Sequence, residues 1–394
     1  IAFNGRILSV GFASGRQPTL PVNIALIKGF SVMGVRAGEY GRRFPEKGRE
    51  NIAAIWDMAG QMKPRVDKEY ALADWRAAFD SLADRKVIVT GTRATDRTVL
   101  ESTSPIDVLD ADDLRRAGAV NGELGSALQA LLPSFNIPRQ SNSGGADHIR
   151  AAQLRGLSPD QVLVLINGKR RHASSLLNLN GTIGRGSAPV DLNTIPVSAI
   201  ERVEVLRDGA SAQYGSDAIA GVVNVVLKGA SEGGSLALSH GRYSAGDGAQ
   251  TQLGGDAGLS LGDGRGFLHL SAQLGQQEET NRARPFAGTP GATQPALGQK
   301  AFVIGEPEVD FGAVGFNTDF ALTDSIRVYG FGTASNRDIT SFAFFRAPGN
   351  PNQNIPSIHP DGFLPEINNV SRDRAIVAGL KGRFGEAWDW DLSF

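Results

Sequence analysis

The chain has 394 residues, of which 49 are glycine, well above the usual share of ~7 %. There are 40 basic and 41 acidic residues, so the net charge is −1. This balance argues against a nucleic-acid-binding protein, which should show a basic bias or stripe. Cysteine is absent, which excludes disulfides, thiolate zinc sites and a cysteine nucleophile. No apolar run of about 18 residues occurs, so we expect no membrane-spanning helix.

Composition changes along the chain and predicts three regions: residues 1–86, 87–230 and 231–394. All three methionines fall within the first 62 residues, whereas Gly, Ser, Gln and Asn dominate after about residue 230. The chain begins with Ile1, without a signal peptide. It ends in an alternating apolar/polar run, Trp388–Phe394, with no turn after it. We therefore expect a fragment.

Residues 1–86 have an α/β pattern. Gly5–Phe12 predicts a short buried strand, and the apolar spacing over Ile52–Ala59 predicts one face of a helix. A second helix is expected after Asp74, which is a good N-cap residue. Lys86–Val89 then predicts another strand.

The segments GRILSVGFASG (Gly5–Gly15) and LPVNIALIKGFSVMGV (Leu20–Val35) resemble the C-terminal end of a quinone oxidoreductase of the medium-chain dehydrogenase/reductase superfamily. The resemblance implies that Val10, Gly11 and Phe12 match positions that approach the nicotinamide end of NADPH. A dinucleotide site also needs a Gly-rich turn that opens a helix, and no helix pattern follows these glycines. We therefore expect an inactive remnant, no bound NADPH and no cofactor.

Residues 87–230 predict a small mixed sheet with short helices. Asp110 is the expected N-cap of one helix, with Asp113 completing a near capping box, and Asn121 is the expected cap of another. Asn167-Gly168 is a strong hairpin-turn signal. The apolar runs predict strands at Ile106–Leu109, His148–Leu154, Gln161–Ile166, Glu201–Leu206 and Ala218–Leu227.

The segments IRAAQLRGLSPDQVLVLINGKRRH (Ile149–His172) and VDLNTIPVSAIERVEVLRDGASAQYGSDAIAGVVNVVLK (Val190–Lys228) resemble the plug domain of TonB-dependent outer-membrane receptors. The resemblance implies that Arg155 and Arg207 pair with glutamates on the inner barrel wall. Tyr214 is expected to face that wall with its polar end. Three glycines are expected at tight turns, where a positive φ excludes a β-carbon: Gly209, Gly215 and Gly221.

The stretch VIVTGTR also resembles the segment that carries or follows the TonB box, and an extended β-branched stretch can add to a partner's sheet edge. An ordinary strand would look the same. The residues are Val87, Ile88, Val89, Thr90, Gly91 and Thr92. The basic trio Lys169–Arg171 fits either an anionic ligand or a solvated hairpin tip, and the five histidines have no metal spacing, so we predict no metal site.

Residues 231–394 alternate apolar and polar residues with period 2, as around Leu268–Leu274 and Ile326–Ala334. Short turns, such as Gly262–Gly266, alternate with long polar connections, Glu278–Glu308 and about Ile339–Arg372. This asymmetry is typical of an outer-membrane barrel, whereas a soluble β-sandwich need not show it. Trp388 and Trp390 fit an aromatic girdle.

The predicted fold is therefore an α/β remnant, an α/β plug and an incomplete antiparallel transmembrane β-barrel. About seven strands are predicted, of the roughly 22 in plugged transporters. Such a sheet keeps unpaired edges, and we expect the fragment to aggregate when expressed alone.

The predicted function is that of a fragment of an outer-membrane receptor that imports a scarce solute, by default an iron–siderophore complex. The expected partners are TonB with the ExbB–ExbD proton-motive complex, the small-molecule ligand and outer-membrane lipid, but no nucleic acid. It is not expected to be an enzyme. The alternatives are an NADPH-dependent quinone oxidoreductase, from residues 1–86 alone, and a natural fusion in which that piece serves as a periplasmic adaptor.

Overall fold

The computed structural model describes residues 6–9, 31–34, 46, 49, 50 and 53, and then 106–117, 123–138, 140–149, 151–179, 183–288, 295–385 and 388–394. The chain divides into two units, Ile1–Lys86 and Val87–Phe394. No helix within these ranges is long and apolar enough to cross a membrane.

In the first unit, strands β1 (Arg6–Ser9) and β2 (Ser31–Gly34) pair in parallel. Strand β1 lies within the predicted strand Gly5–Phe12. Residue 53 is helical. The rest of the predicted helix Ile52–Ala59, the helix after Asp74 and the strand Lys86–Val89 lie outside the described residues, as do Val10, Gly11 and Phe12.

Residues 106–230, here called the central domain, are built on a mixed five-stranded sheet of order β3-β8-β9-β6-β7. Strands β6 and β9 are parallel, and the other neighbours are antiparallel. A separate two-stranded pair is formed by β4 and β5. The strands are β3 (Ile106–Asp110), β4 (Phe135–Asn136), β5 (Gln153–Leu154), β6 (Val162–Ile166), β7 (Lys169–Arg170), β8 (Ile200–Leu206) and β9 (Gly221–Leu227). The helices are α1 (Ala111–Arg116), α2 (Leu124–Leu131) and α3 (Ser211–Tyr214).

The start of α1 is as predicted. The Asp113 amide donates to Asp110 Oδ1 at 2.8 Å, and the Asp110 amide donates to Asp113 Oδ2 at 3.2 Å. The predicted cap of α2 is wrong, because the N-cap is Glu123 rather than Asn121. Glu123 keeps an extended backbone, and its Oε1 accepts a hydrogen bond from Asn193 Nδ2 at 2.9 Å. The hydrogen bond to Asn193 fixes the Glu123 side chain, and the helix begins at the next residue, Leu124.

Strand β6 is buried on both faces. Its residues alternate between two apolar clusters: Val162, Val164 and Ile166 pack with α1 and α2, whereas Leu163 and Leu165 pack with Leu206 and Val222. A continuous apolar run is typical of such a strand. The next turn has φ values of 47° at Asn167 and 78° at Gly168, as a two-residue type I′ hairpin requires, so this prediction is confirmed.

The predicted strand His148–Leu154 is wrong except for its last two residues. Ala146–His148 forms a turn of 3₁₀ helix after Gly145, which has a φ of 95°. Of the following residues, Ile149, Ala151 and Ala152 are buried in the central domain. The segment is apolar because it packs into the domain, and only Gln153–Leu154 pairs as a strand.

Residues 234–393 form an antiparallel seven-stranded sheet, here called the large sheet, with its strands in chain order. The turns at residues 262–265 and 322–325 are short, and the connections at 278–307 and 343–365 are long. The second long connection is shorter than predicted because β14 and β15 continue for 17 and 19 residues. The strands are β10 (Gly234–Gly241), β11 (Gln250–Leu261), β12 (Gly266–Gln277), β13 (Glu308–Ala321), β14 (Ile326–Phe342), β15 (Glu366–Phe384) and β16 (Trp388–Ser393).

Candidate functional site

The large sheet has a polar face and an apolar face. On β12, His269, Ser271 and Gln273 are buried, whereas the alternating Leu270 and Leu274 are 44 % and 60 % exposed. A water-soluble sheet normally buries its apolar face and exposes its polar one. Here the polar face lies against the central domain and the apolar face is open, so the contact between the two is mainly polar. One apolar contact is Phe331 of β14, which packs into the apolar cluster of the central domain. We call the whole contact the plug–wall interface, where the plug is the central domain and the wall is the large sheet.

A deeply buried ion pair of this interface joins Arg337 on β14 to Asp191 of the central domain. Arg337 Nη1 lies 2.8 Å from Asp191 Oδ2, and the two side chains are only 7 % and 4 % exposed. The same nitrogen donates to the backbone oxygen of His148 at 3.1 Å. One guanidinium on the wall is therefore bonded to two separate loops of the central domain.

Local backbone turns hold both loops in place. Asp191 caps a 3₁₀ turn, where its Oδ1 accepts from the Asn193 amide at 3.1 Å, and Thr194 Oγ1 donates to its carbonyl at 2.8 Å. His148 ends the 3₁₀ turn that begins at Ala146. Its Nε2 lies 2.7 Å from Ser341 Oγ, four residues beyond Arg337 on β14.

Burial lowers the pKa of His148 below its ordinary value. The nearby Asp147 carboxylate opposes this shift, and the Arg337 guanidinium adds to it. Because a protonated imidazole would add a second positive charge beside Arg337, the neutral form is the one that suits this contact.

A second buried ion pair joins the hairpin segment to β15. Arg171, 3 % exposed, pairs with Asp373, 13 % exposed, and His172 Nε2 lies 2.7 Å from the other oxygen of that carboxylate. Arg171 Nη2 also reaches Thr194 Oγ1 at 3.4 Å, so the two ion pairs belong to one network. A cleft of about 520 Å³ opens beside it, between the central domain and β15.

Two lysines of the central domain make further contacts with the large sheet. Lys169 Nζ lies 2.9 Å from Asp391 Oδ1 on β16, and the same oxygen accepts from Tyr329 at 2.7 Å. At the other side of the sheet, Lys228 Nζ lies 2.5 Å from Asp256 Oδ1 on β11. The central domain is thus bonded to both flanks of the large sheet.

The basic trio Lys169–Arg171 therefore does three different things. Lys169 and Arg171 bond to the wall, whereas Arg170 pairs with Asp217 inside the central domain. Arg171 is buried in an ion pair, so it fits neither the predicted contact with an anionic ligand nor the predicted solvated hairpin tip. Among the described residues, no group of three or more His, Asp or Glu side chains is placed to hold a metal ion.

The two arginines predicted to touch the wall each pair with a carboxylate of the central domain. Arg155 Nη1 lies 3.6 Å from Asp208 Oδ1, and Arg207 Nε lies 2.5 Å from Asp107 Oδ2. Tyr214 packs against the second apolar cluster. Their predicted contact with wall glutamates stays a prediction.

Two of the three predicted turn glycines have a positive φ: 89° at Gly215 and 142° at Gly221. A β-carbon on Gly221 would also lie 2.5 Å from Leu154 Cδ2, so only glycine fits there. Gly209 has no positive φ; its amide donates to Asp208 Oδ1 at 2.8 Å. The TonB-box-like residues Val87, Ile88, Val89, Thr90, Gly91 and Thr92 lie outside the described residues.

Sequence reasoning missed the residues that make the interface: His148, Asp191, Arg337 and Asp373. The alternation of polar and apolar residues along the strands could have identified two of them. Arg337 and Asp373 fall on the polar parity of β14 and β15, the side that turns away from the apolar face. A charge there needs a partner from the domain it faces.

Comparisons with known proteins agree with this architecture. Residues 98–222 match the family model of the TonB-dependent receptor plug domain. The chain is 33 % identical over 129 residues to the ferric enterobactin receptor PirA of Pseudomonas aeruginosa, covering 33 % of this chain and 17 % of that receptor. It is 32 % identical over 123 residues to the ferrienterobactin receptor of Escherichia coli K12, covering 31 % of this chain and 16 % of that receptor. The match thus spans less than a fifth of these relatives.

Two solved structures share the fold. The ferric enterobactin receptor PfeA of Pseudomonas aeruginosa has a TM-score of 0.53 at 20 % identity, covering 72 % of this chain and 39 % of that chain. The siderophore receptor PirA of Acinetobacter baumannii has a TM-score of 0.52 at 18 % identity, covering 76 % of this chain and 40 % of that chain. The central domain thus matches the TonB-dependent receptor plug domain, and the large sheet has the fold of part of a receptor barrel, as predicted. Receptors of this family are transporters, not enzymes, and need no cofactor.

Replacing either Arg337 or Asp191 by alanine is predicted to destabilise the seating of the plug by about 3–5 kcal/mol, because the other charge is left buried without a partner. The double variant is expected to lose little more than either single one. Urea unfolding in detergent measures this. The matched control is the pair Arg383–Asp389, whose side chains are 59 % and 52 % exposed and whose loss should leave the midpoint unchanged. Equal effects at the two pairs would contradict the role of the buried one.

Acidification is predicted to loosen the interface through His148. Its pKa is lowered by burial, so the unfolded chain binds the proton at a higher pH than the folded chain does. The stability it contributes is therefore complete above about pH 6.5 and is lost as the pH falls through the folded pKa. The urea midpoint should fall less on acidification in His148→Gln than in the parent, while His240→Gln, an exposed histidine, should behave like the parent. Identical slopes in all three proteins would refute this.

Proposed function

We propose that the chain is part of a TonB-dependent outer-membrane receptor that imports a ferric siderophore. The central domain is the plug, and β10–β16 form part of the barrel wall around it. The observation that carries this is the plug–wall interface, in which Arg337–Asp191 and Arg171–Asp373 join the plug to the polar face of the sheet. An outward apolar face and an inward polar face are the pattern of a membrane barrel.

The chemistry of the interface suits a plug that has to move. Ion pairs and hydrogen bonds dominate it, and these groups regain water when they separate. An apolar interface would instead expose its surface to water at a cost of roughly 25 cal/mol per Å². A plug held by His148, Asp191 and Arg171 can therefore be stable at rest and still be released by a pull on its N-terminal side.

We assign that pull to TonB, driven by the ExbB–ExbD complex, acting on Val87–Thr92. A β-branched, extended segment can add as a strand to the sheet edge of a partner. The segment directly precedes residues 98–222, which match the plug family, so force applied there is transmitted into the plug.

The proposed cargo is ferric enterobactin. The relatives PirA and the Escherichia coli protein are both named as receptors for this complex. The cleft of about 520 Å³ beside His172 and Asp373 offers a polar surface between the plug and the wall.

Arg155, Arg207 and Tyr214 are proposed as additional plug–barrel contacts. The side chains of Arg155 and Arg207 are 45 % and 39 % exposed, so each guanidinium is open to a second acidic partner besides Asp208 or Asp107. Gly209, Gly215 and Gly221 are proposed as the plug's turn residues, supported at the last two by positive φ.

For residues 1–86 the oxidoreductase resemblance remains a proposal. The parallel pairing of β1 and β2 supports an α/β piece, since a dinucleotide-binding sheet is mostly parallel. The division of the chain at Lys86 and Val87 supports a boundary there, with the plug at 87–230 and the barrel at 231–394. No similarity reported above is to an oxidoreductase, and Val10, Gly11 and Phe12 are not proposed to hold NADPH in this chain.

The proposed function is tested with radiolabelled ferric enterobactin in cells whose only uptake route is the full-length receptor that carries these residues. The parent receptor should bind and import the complex. Val89→Pro should abolish import but leave surface binding intact, because proline removes an amide needed for strand addition. Thr95→Pro, beyond the segment, is the matched control and should import normally. Absence of surface binding would contradict the cargo, and import by Val89→Pro would contradict the coupling.

A further inference from the structure

A trough lies on the outer, apolar face of the large sheet, where it spans β12 to β15. Its positions on β14 are Gly332 and Ala334, which carry at most a methyl group, while the alternating Thr333 is buried on the inner face. The residues opposite Gly332 on the neighbouring strands, Phe316 and Ile376, are larger.

The walls of the trough are apolar. Register places Phe316 of β13 and Ile376 of β15 on either side of Gly332, and Val314 and Ile376 are 55 % and 71 % exposed. These residues line a groove of about 600 Å³. A β-carbon on Gly332 would lie 2.8 Å from the Phe316 ring and 2.7 Å from the Ala375 oxygen, so the Phe316 ring rests where a side chain would otherwise stand.

Two arginines lie at the end of the trough nearer the long connections. Arg374 is directly opposite Ala334, and Arg372 is opposite Asn336 in the next outward row. Both are exposed, and within the described part of the chain neither forms an ion pair. By contrast, Arg337 and Lys381, on the inner face of the same two strands, pair with Asp191 and Asp319.

Two acidic residues lie on the same face just beyond the trough. Asp338 on β14 is opposite Asp310 on β13, one row beyond Arg372, and neither lines the trough, whereas Arg374 does. An anionic group would therefore settle beside Arg374. The Arg374 guanidinium has no ionic partner among the described residues, and its planar fork matches a phosphate in two-point contact.

We propose that this trough binds one acyl chain of a phosphorylated membrane lipid, with the lipid phosphate on Arg374 and Arg372. The proposal rests on the proposed function only in that it places this face of the sheet in a membrane. The lipid is recognised by two features together, the glycine-floored apolar trough and the unpaired guanidiniums at its end.

Native mass spectrometry of the full chain, refolded in dodecyl maltoside micelles, tests this. An equimolar mixture of dioleoyl phosphatidate and dioleoyl phosphatidylcholine is added, since these lipids share their chains and differ in their head groups. The parent should retain phosphatidate in preference by about tenfold, the size expected of one charge-assisted contact. R372Q/R374Q should lose the preference, and Ala334→Phe, which fills the trough, should lower the retention of both lipids. Arg284→Gln, an exposed arginine in a long connection, is the matched control and should keep the preference.

Equal retention of the two lipids by the parent overturns the inference, as does an unchanged preference in R372Q/R374Q. Displacement of phosphatidate by equimolar inorganic phosphate also overturns it, because that result describes an anion site without an acyl groove. Retention of neither lipid overturns the membrane placement of the sheet as well. Retention of both lipids without preference overturns this inference alone.

Discussion

The buried ion pair between Arg337 and Asp191 is the interaction on which the rest of the structure depends. Two charges shielded from water are tolerated only when each has its partner. Here the partners come from separate parts of the chain, one from a strand of the wall and one from a loop of the plug. The pair therefore holds only when β14 lies against the central domain in this register. The bond from Arg337 to the His148 backbone ties a second plug loop to the same strand.

The two faces of the large sheet differ accordingly. The inner face meets the plug mainly through charges and hydrogen bonds, with Phe331 as an apolar contact, and the outer face carries exposed apolar side chains. Basic residues behave differently on the two sides. Arg337 and Lys381 form ion pairs within the protein. Arg372 and Arg374 form none among the described residues, so their charge must be balanced by the surroundings of the protein. Within the described residues, β10 and β16 each pair with one neighbour only, and Leu236 on β10 and Trp388 on β16 are 80 % and 73 % exposed. Such edges are the reason to expect aggregation of the chain when it is expressed alone.

Local features of this fold could be predicted from the sequence. Three features depend only on residues that are near neighbours in the chain: the capping box at Asp110, the hairpin turn at Asn167-Gly168 and the period-2 strands. A short stretch of sequence is therefore enough to predict each of them. The predicted strand His148–Leu154 is wrong because burial in a core and burial in a strand give the same apolar pattern. The predicted cap of α2 is wrong because Glu123 is fixed by Asn193, a residue of a distant loop. The interface could not be predicted residue by residue. Arg337 and Asp191 are separated by 146 positions, and only the folded chain shows that they meet.

The seating of the plug on the inner face of the wall is tested most directly by a designed disulfide. The chain has no cysteine, so two introduced thiols report on one contact. Ser198 Cβ lies 3.6 Å from the position of a β-carbon on Gly254 of β11, within the range for a disulfide. On mild oxidation, S198C/G254C should lose both free thiols within one chain, while S198C/L253C, with its second thiol on the outer face, should keep them. Free thiols in S198C/G254C, or equal oxidation of the two variants, would contradict the seating of the plug described here.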